Sequence, residues 1–416
     1  MKANLEQSFK IFEEFSINVE KVVEELSKIP ISLHCWQGDD VGGFEKFDAK
    51  LSGGGIQATG NYPGKARTPD ELRQDYEKAF SLIPGKHRIN IHAIYGDFTK
   101  GFKDRNEITI DNYTDWIAWA KEQGLKIDFN ATLFSHPNAS NGYTLSHPNK
   151  SIREFWIEHV KRCRKISEQI GKALNSPCIH NLWIPDGAKD VTVGRMKYRQ
   201  RLIDSLDSIY SEQISKEYMM DAVEGKLFGI GSESFVVGSH DFYYGYAMKK
   251  GLILTMDMGH YHPTESVADK ISAILPFTNK ILLHISRGVR WDSDHIVLQS
   301  DELNALCEEI VRSERMQDIY LALDYFDASV NRIGAWVLGM RNTLKALMIA
   351  KLQPVNLLRE LEEQGNNFKK LALLEEFKNL PYGAIWDHYC ELQRVPKGTD
   401  WILKIEEYEK NVLKMR

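Results

Sequence analysis

Seven acidic and imidazole residues, Glu224, Asp257, His260, His284, Asp292, Asp294 and Asp324, gather between positions 224 and 324 of this chain. Carboxylate oxygens mixed with one or two imidazole nitrogens suit Mn²⁺, Mg²⁺ or Co²⁺ better than a structural zinc, which prefers thiolates in a closed tetrahedron. The spacing supports convergence. In Asp257-Met258-Gly259-His260 the glycine permits a tight turn between a carboxylate and an imidazole. Asp292 and Asp294 stand at i and i+2, so in extended backbone their side chains share one side. Each residue alone has a plainer reading, because a strand-end Asp usually caps a helix and a lone His is usually a satisfied core or surface group. Asp292 and Asp294 as mere solvated charges would be expected to pair with Arg287 and Arg290. It is the set of seven that argues for two divalent ions in one enzyme. Lys226, two residues beyond Glu224, could polarise a substrate oxygen or simply form a salt bridge with Glu224. His92 and Trp183 could face the same mouth, Trp183 as an apolar wall or as plain core packing.

These residues need elements to bring them together. Short β-type runs begin at Ile31, Arg88, Leu125, Cys178, Tyr218, Gly251, Lys280 and Ile319, and amphipathic helical stretches alternate with them. Eight βα units predict a (β/α)8 TIM barrel over 30–330, whose active site lies at the C-terminal ends of the strands. The ligand candidates fall late in the fifth to eighth of these runs or just beyond. Thr68-Pro69-Asp70-Glu71 predicts a helix start, with Thr68 as N-cap, Pro69 at the first helical position and Glu71 closing a capping box. Further helices are predicted from Ser151, Val193 and Ser300. Residues 1–29 read as an N-terminal helical segment. Residues 331–416, with Trp336, Trp386 and Trp401, read as a C-terminal helical extension expected at subunit contacts, the alternative being packing on its own barrel. Residues 37–66 contain eight glycines without any period, which predicts a lid loop over the barrel mouth.

Composition narrows the function classes. Hydrophobic residues at 43% and charged residues at 27% of 416 belong to a chain that buries a proper core. The net charge of −5 argues against a nucleic-acid surface. The N-terminus lacks a signal-peptide core and no run is long enough for a membrane span, so a cytoplasmic location is expected. Five scattered cysteines, never as C-x-x-C, indicate reduced thiols. The Gly60 to Ala66 run lacks P-loop spacing, Gly229-Ile230-Gly231 lacks the third glycine of a dinucleotide fingerprint, and no G-x-S-x-G elbow occurs.

Longer motifs then carry a resemblance: HCWQGDDVGGFE from His34, GIQATGNYPGKAR from Gly55, NIHAIY from Asn90, NLWIPDG from Asn181, AVEGKLFGIGSES from Ala222, MDMGHYHPTE from Met256, VRWDSDH from Val289 and LDYFDASVNRI from Leu323. Together they resemble the L-rhamnose isomerase family, within the xylose-isomerase-like group of TIM barrels, nearly end to end. The resemblance implies an aldose–ketose isomerase interconverting L-rhamnose and L-rhamnulose. It also implies two Mn²⁺-type ions, with Co²⁺, Zn²⁺ or Mg²⁺ as substitutes, and a homotetramer. It divides the ligands, giving Glu224, Asp257, His284 and Asp324 to a more structural ion and His260, Asp292 and Asp294 to a catalytic one, with Asp257 bridging. Lys226, Asp324 and His92 take catalytic roles, and Trp183, His92 and Lys226 bind the sugar. Val41, Phe44 and Ile56 are expected to cover the C6 methyl of a 6-deoxy sugar. Competing readings are a metal-dependent hydrolase or nuclease on the same barrel and a non-catalytic sugar binder.

Overall fold

The computed structural model describes residues 5–45, 58–290 and 295–416. Among them eight parallel strands close into a barrel: β1 Ile31–His34, β2 Arg88–His92, β3 Lys126–Asn130, β4 Cys178–Leu182, β5 Met219–Glu224, β6 Ile253–Asp257, β7 Ile281–Ile285 and β8 Ile319–Leu323. Each pairs with its sequence neighbour, and β1 closes on β8 through Ile31 opposite Leu321 and Ser32 opposite Ala322. All eight predicted strand runs are present. β5 to β8 are mostly apolar because both faces of a barrel strand are covered, whereas β1 to β3 alternate apolar outward residues with polar inward ones. A two-residue antiparallel ladder, Gly187–Ala188 against Phe235–Val236, joins two loops and is too short to leave a pattern in the sequence.

Alternation along the strands sorts side chains between two compartments. Outward residues join the large core beneath the helices. Inward residues Ile179, Met220, Ala222, Ile253, Leu282 and Ala322 form a separate apolar cluster inside the barrel. Beside it, on β1 to β3, the interior is polar: Arg88 lies 2.7 Å from Asp128, and Ser32 donates to the same carboxylate at 2.7 Å.

The ring helices are Pro69–Phe80, Thr114–Gln123, Lys150–Leu174, Arg195–Ile209, His240–Lys250, Val267–Ile274, Asp301–Arg312 and Arg332–Lys351. Thr68 caps the first, its hydroxyl accepting from the Glu71 N–H at 3.2 Å. The carboxylate of Glu71, however, reaches the N–H of Arg67 at 2.7 Å, one residue before the cap. It is drawn there by the Arg67 guanidinium, with which it also pairs, so the reciprocal half of the predicted capping box is displaced. Arg332–Lys351, which the sequence pattern groups with the extension, packs against Asp301–Arg312, Pro69–Phe80 and β1 and fills the eighth place in the ring. Trp336 on it is fully buried and donates to the carbonyl of His34 at 2.9 Å. Beyond it, Trp386 and Trp401 flank the Arg341 guanidinium at 5.1 and 5.6 Å, so this part of the chain packs on its own barrel. All five cysteines are buried and unbridged.

The described arms of the glycine-rich segment are tied down. Ala66 N–H bonds the Gly38 carbonyl at 3.0 Å. The buried Arg332 spans both arms, pairing with Asp40 at 2.7 Å and donating to the Tyr62 carbonyl at 2.6 Å. Asp40 and Val41 take left-handed φ values of +63° and +60°, which is strained for a β-branched residue. Val41 sits in the core and Phe44 packs edge-on to Tyr95 at 5.4 Å. Ile56 lies outside the described residues.

Candidate metal centre

Glu224 and Asp257 are the last residues of β5 and β6, His284 is the fourth of β7, and Asp324 follows β8 directly. Parallel pairing sets Asp257 opposite His284, and Asp324 N–H extends the ladder to the Ile285 carbonyl at 3.2 Å. Register alone therefore delivers three acids and one imidazole to the same rim. One ligand atom from each of the four lies within 4.8 Å of all the others, the spread expected of donors placed about 2.0 to 2.6 Å from one ion.

The geometry centres on His284. Its Nδ1 is 3.1 Å from Asp324 Oδ2, 3.4 Å from Glu224 Oε2 and 3.6 Å from Asp257 Oδ2. Glu224, Asp257 and His284 are buried. Among the described residues neither nitrogen of His284 has a hydrogen-bond partner, and neither does Oδ2 of Asp257. Orphaned donors and acceptors of this kind are rare in buried sites and call for an explanation. Like-charged groups about 4 Å apart repel by roughly 4 kcal/mol at an effective dielectric of about 20, so three carboxylates here require positive charge beyond one imidazole. Burial raises Asp257 above the usual carboxylate range. Burial opposes charge on His284 as well, but the carboxylates, Glu224 foremost, outweigh it and raise the imidazole well above its usual value. Burial likewise works against the ionised form of Glu224, yet His284 and His260 hold it well below the carboxylate range. A divalent cation among these four residues resolves the whole pattern, and the hard oxygen donors with a single imidazole suit it.

His260 stands next to this group rather than in it, with Nδ1 3.0 Å from Glu224 Oε1. Asp292 and Asp294 lie outside the described residues. Lys226 is nearly buried and places its Nζ 5.0 Å from the centroid of Trp183. Trp183 in turn packs near Phe134 and His260, at 6.1 and 6.5 Å. His92 ends β2, its Nδ1 3.0 Å from the Thr132 hydroxyl and its ring edge-on to Trp36 at 4.8 Å. Burial holds this imidazole down to about 3, so it is neutral at ordinary pH.

Three supporting residues were not singled out from the sequence. Asn181 donates to Glu224 Oε2 at 2.6 Å and accepts from Thr255 at 2.8 Å. Ser286 donates to Asp257 Oδ1 at 3.0 Å, an oxygen that also takes the Gly259 N–H at 2.6 Å. Trp36 donates from Nε1 to Asp324 Oδ1 at 2.9 Å. Asn181 carried a signal, because it stands in phase with the inward positions of β4, one layer below the rim. Such partners orient ligands and tune their basicity.

Comparison with known proteins gives this site its context. The family model described as L-rhamnose isomerase (RhaA) matches residues 1–416. An L-rhamnose isomerase of Rhodopirellula baltica is 51% identical over 417 residues, covering 99% of this chain and 97% of that one. That of Mannheimia succiniciproducens is 53% identical over 407 residues, covering 98% and 97%. That of Pectobacterium carotovorum is 52% identical over 401 residues, covering 96% and 95%. With the family model matched over residues 1–416 and relatives about half identical along nearly the whole chain, the chain belongs to the L-rhamnose isomerase family.

Proposed function

We propose that this chain interconverts L-rhamnose and L-rhamnulose by moving hydrogen between C1 and C2 of the opened sugar. The observation that carries the reading is the centre formed by buried Glu224, Asp257 and His284 with half-buried Asp324 in a chain of this family. The family match favours the isomerase over a hydrolase on the same barrel. An ion held by Glu224, Asp257, His284 and Asp324 would supply Lewis-acid stabilisation for the negative charge that grows on the sugar oxygens during transfer. Mn²⁺ is the ion proposed, with Co²⁺, Zn²⁺ or Mg²⁺ as substitutes. Glu224, Asp257, His284 and Asp324 would hold one ion, and His260, Asp292 and Asp294 a second, with Asp257 between them.

The remaining residues act on the sugar. The ammonium of Lys226, steadied over the indole of Trp183, is a preorganised positive group for O1. Neutral His92, its Nδ1 engaged by Thr132, can exchange hydrogen bonds with a sugar hydroxyl and assist ring opening. Trp183 and Phe134 give the mouth an apolar wall. Binding at both ends fixes C1 and C2 relative to one another, which lowers the entropic part of the barrier. Asp324 is the group proposed to handle the proton of a sugar hydroxyl.

Among the described residues no helix is long and apolar enough to cross a membrane. A cytoplasmic homotetramer is the assembly proposed for the family member at work, with helices beyond Lys351 offering surface for it.

The deciding experiment is ketose formation from a panel of aldoses by chelator-stripped protein reloaded with Mn²⁺, Co²⁺, Mg²⁺ or Zn²⁺. L-Rhamnose should give the greatest rate with Mn²⁺ and almost none before reloading. Failure of every aldose with every ion would overturn the proposal.

A further inference from the structure

The exits of β1 and β8 are stitched together more tightly than strand pairing requires. The side-chain amide of Gln37 engages both backbone groups of Asp327, donating to its carbonyl at 2.9 Å and accepting its N–H at 2.7 Å. Next to it, the indole of Trp36 is 3% exposed and packed edge-on to His92 at 4.8 Å and at a tilt to His34 at 5.1 Å. Held in this way, its Nε1–H points at Asp324 Oδ1 at 2.9 Å, while Oδ2 faces His284 at 3.1 Å. The two oxygens of one carboxylate thus have different occupations. An N–H donating to an ionised oxygen is a strong, directional bond, and a rigid bicyclic ring loses little entropy in making it.

We propose that Trp36 is a positioning residue of the metal centre, whose indole N–H occupies Oδ1 of Asp324 so that Oδ2 alone is presented to the ion. The inference rests on the reading of Asp324 as a ligand. Without the N–H, the carboxylate is free to rotate about its Cβ–Cγ bond, and the ion must restrain it. Gln37 and Asp327 are the frame: they fix the height of the β1 exit against the β8 exit, and hence the reach of the indole.

The test uses the chelator-stripped full chain and calorimetric titration with Mn²⁺. W36F keeps an aromatic ring against His92 and His34 and removes the donor. It should weaken binding of one ion ten- to a hundredfold, the range typical of lost supporting contacts, with the thermal midpoint of the ion-free protein within a few degrees of wild type. Where the smaller ring upsets folding, 3-benzothienylalanine at position 36 replaces only the N–H by sulfur and carries the same expectation. Wild-type affinity in either folded variant overturns the proposal. D324N separates it from the reading beneath: if D324N binds Mn²⁺ as wild type does, Asp324 is not a ligand and both fall. If D324N is impaired while W36F is not, the positioning role alone falls.

Discussion

Among the described residues the barrel interior holds buried charge at its floor and at its mouth, and the two places are built on opposite principles. At the floor, Asp128 accepts from Arg88 at 2.7 and 2.8 Å, from Ser32 at 2.7 Å and from the Ile179 N–H at 2.9 Å. Arg88 also donates to the Pro177 carbonyl at 2.8 Å and the Ser176 hydroxyl at 3.0 Å. One charge meets one opposite charge, and the surrounding groups are satisfied. At the mouth, three carboxylates crowd one imidazole with its nitrogens unbonded. Buried charge that is matched belongs to the fold, whereas buried charge in excess is kept for something that binds. The comparison also separates two residues that look alike in sequence, since Asp128 and Asp257 are both inward strand acids.

Mutation at each place should therefore fail in a different way. D257A should lower ketose formation by more than the roughly hundredfold typical of supporting residues, and weaken both ions together if Asp257 lies between them. The ion-free protein should fold as well as wild type, because a crowded negative charge has gone. R88A leaves Asp128 buried without its partner, which costs about 3 to 5 kcal/mol, while the folded fraction should still turn over substrate. Chemical denaturation and initial rates on both variants decide this. An R88A protein that is stable but inactive, or a D257A protein that is active, would break the comparison.

The two places should also answer differently to pH. In the ion-free protein His284 is held well above its usual value and Asp257 is raised. The folded state thus binds these protons more tightly than the unfolded chain does, and the stability they contribute is lost as pH rises. The imidazole contribution is complete below about 6.5 and disappears as pH climbs through the higher folded value. Glu224 has the opposite sign, its contribution disappearing only in acid, as pH falls below about 4.5. As pH rises above about 6.5, the melting temperature of chelated protein should fall, while ion-loaded protein, with His284 deprotonated as a ligand, should not follow it. Parallel curves would mean that the ion does not replace the proton at His284.

How far these features could be read beforehand follows from what each depends on. The strands were legible because runs such as Ile281 to Ile285 are short, apolar at four of five positions and bounded by polar turns. Acids at their ends were legible because a barrel gives strand ends a common destination. Arg332–Lys351 was not recognised as the eighth ring helix, because it is buried on nearly every side, polar Arg341, Asn342 and Thr343 included, and such an element shows no apolar face. Trp36, Asn181 and Ser286 were missed as supports for a related reason. Their roles depend on which way a single N–H or hydroxyl points across strands, and composition carries no trace of direction. The displaced Glu71 contact shows the same limit at short range, where a neighbouring Arg67 outweighed the capping rule.

The finest test exchanges one hydroxyl at each place. Ser32 donates to Asp128 at the floor and Ser286 donates to Asp257 at the mouth, at 2.7 and 3.0 Å. Both are buried hydrogen bonds to a buried carboxylate, so removal by alanine looks equivalent. At the floor, Asp128 retains the guanidinium and the Ile179 N–H, and the loss should be about 1 kcal/mol of stability with no change in ion affinity. At the mouth, Asp257 retains the Gly259 N–H on Oδ1, but the carboxylate loses the contact that sets its rotation while Oδ2 has no other partner. S286A should therefore leave the ion-free fold nearly unchanged and weaken ion binding by about tenfold, the lower end of the range for such contacts. Equal losses of stability in S32A and S286A, with equal ion affinities, would show that the mouth is held together in the same way as the floor.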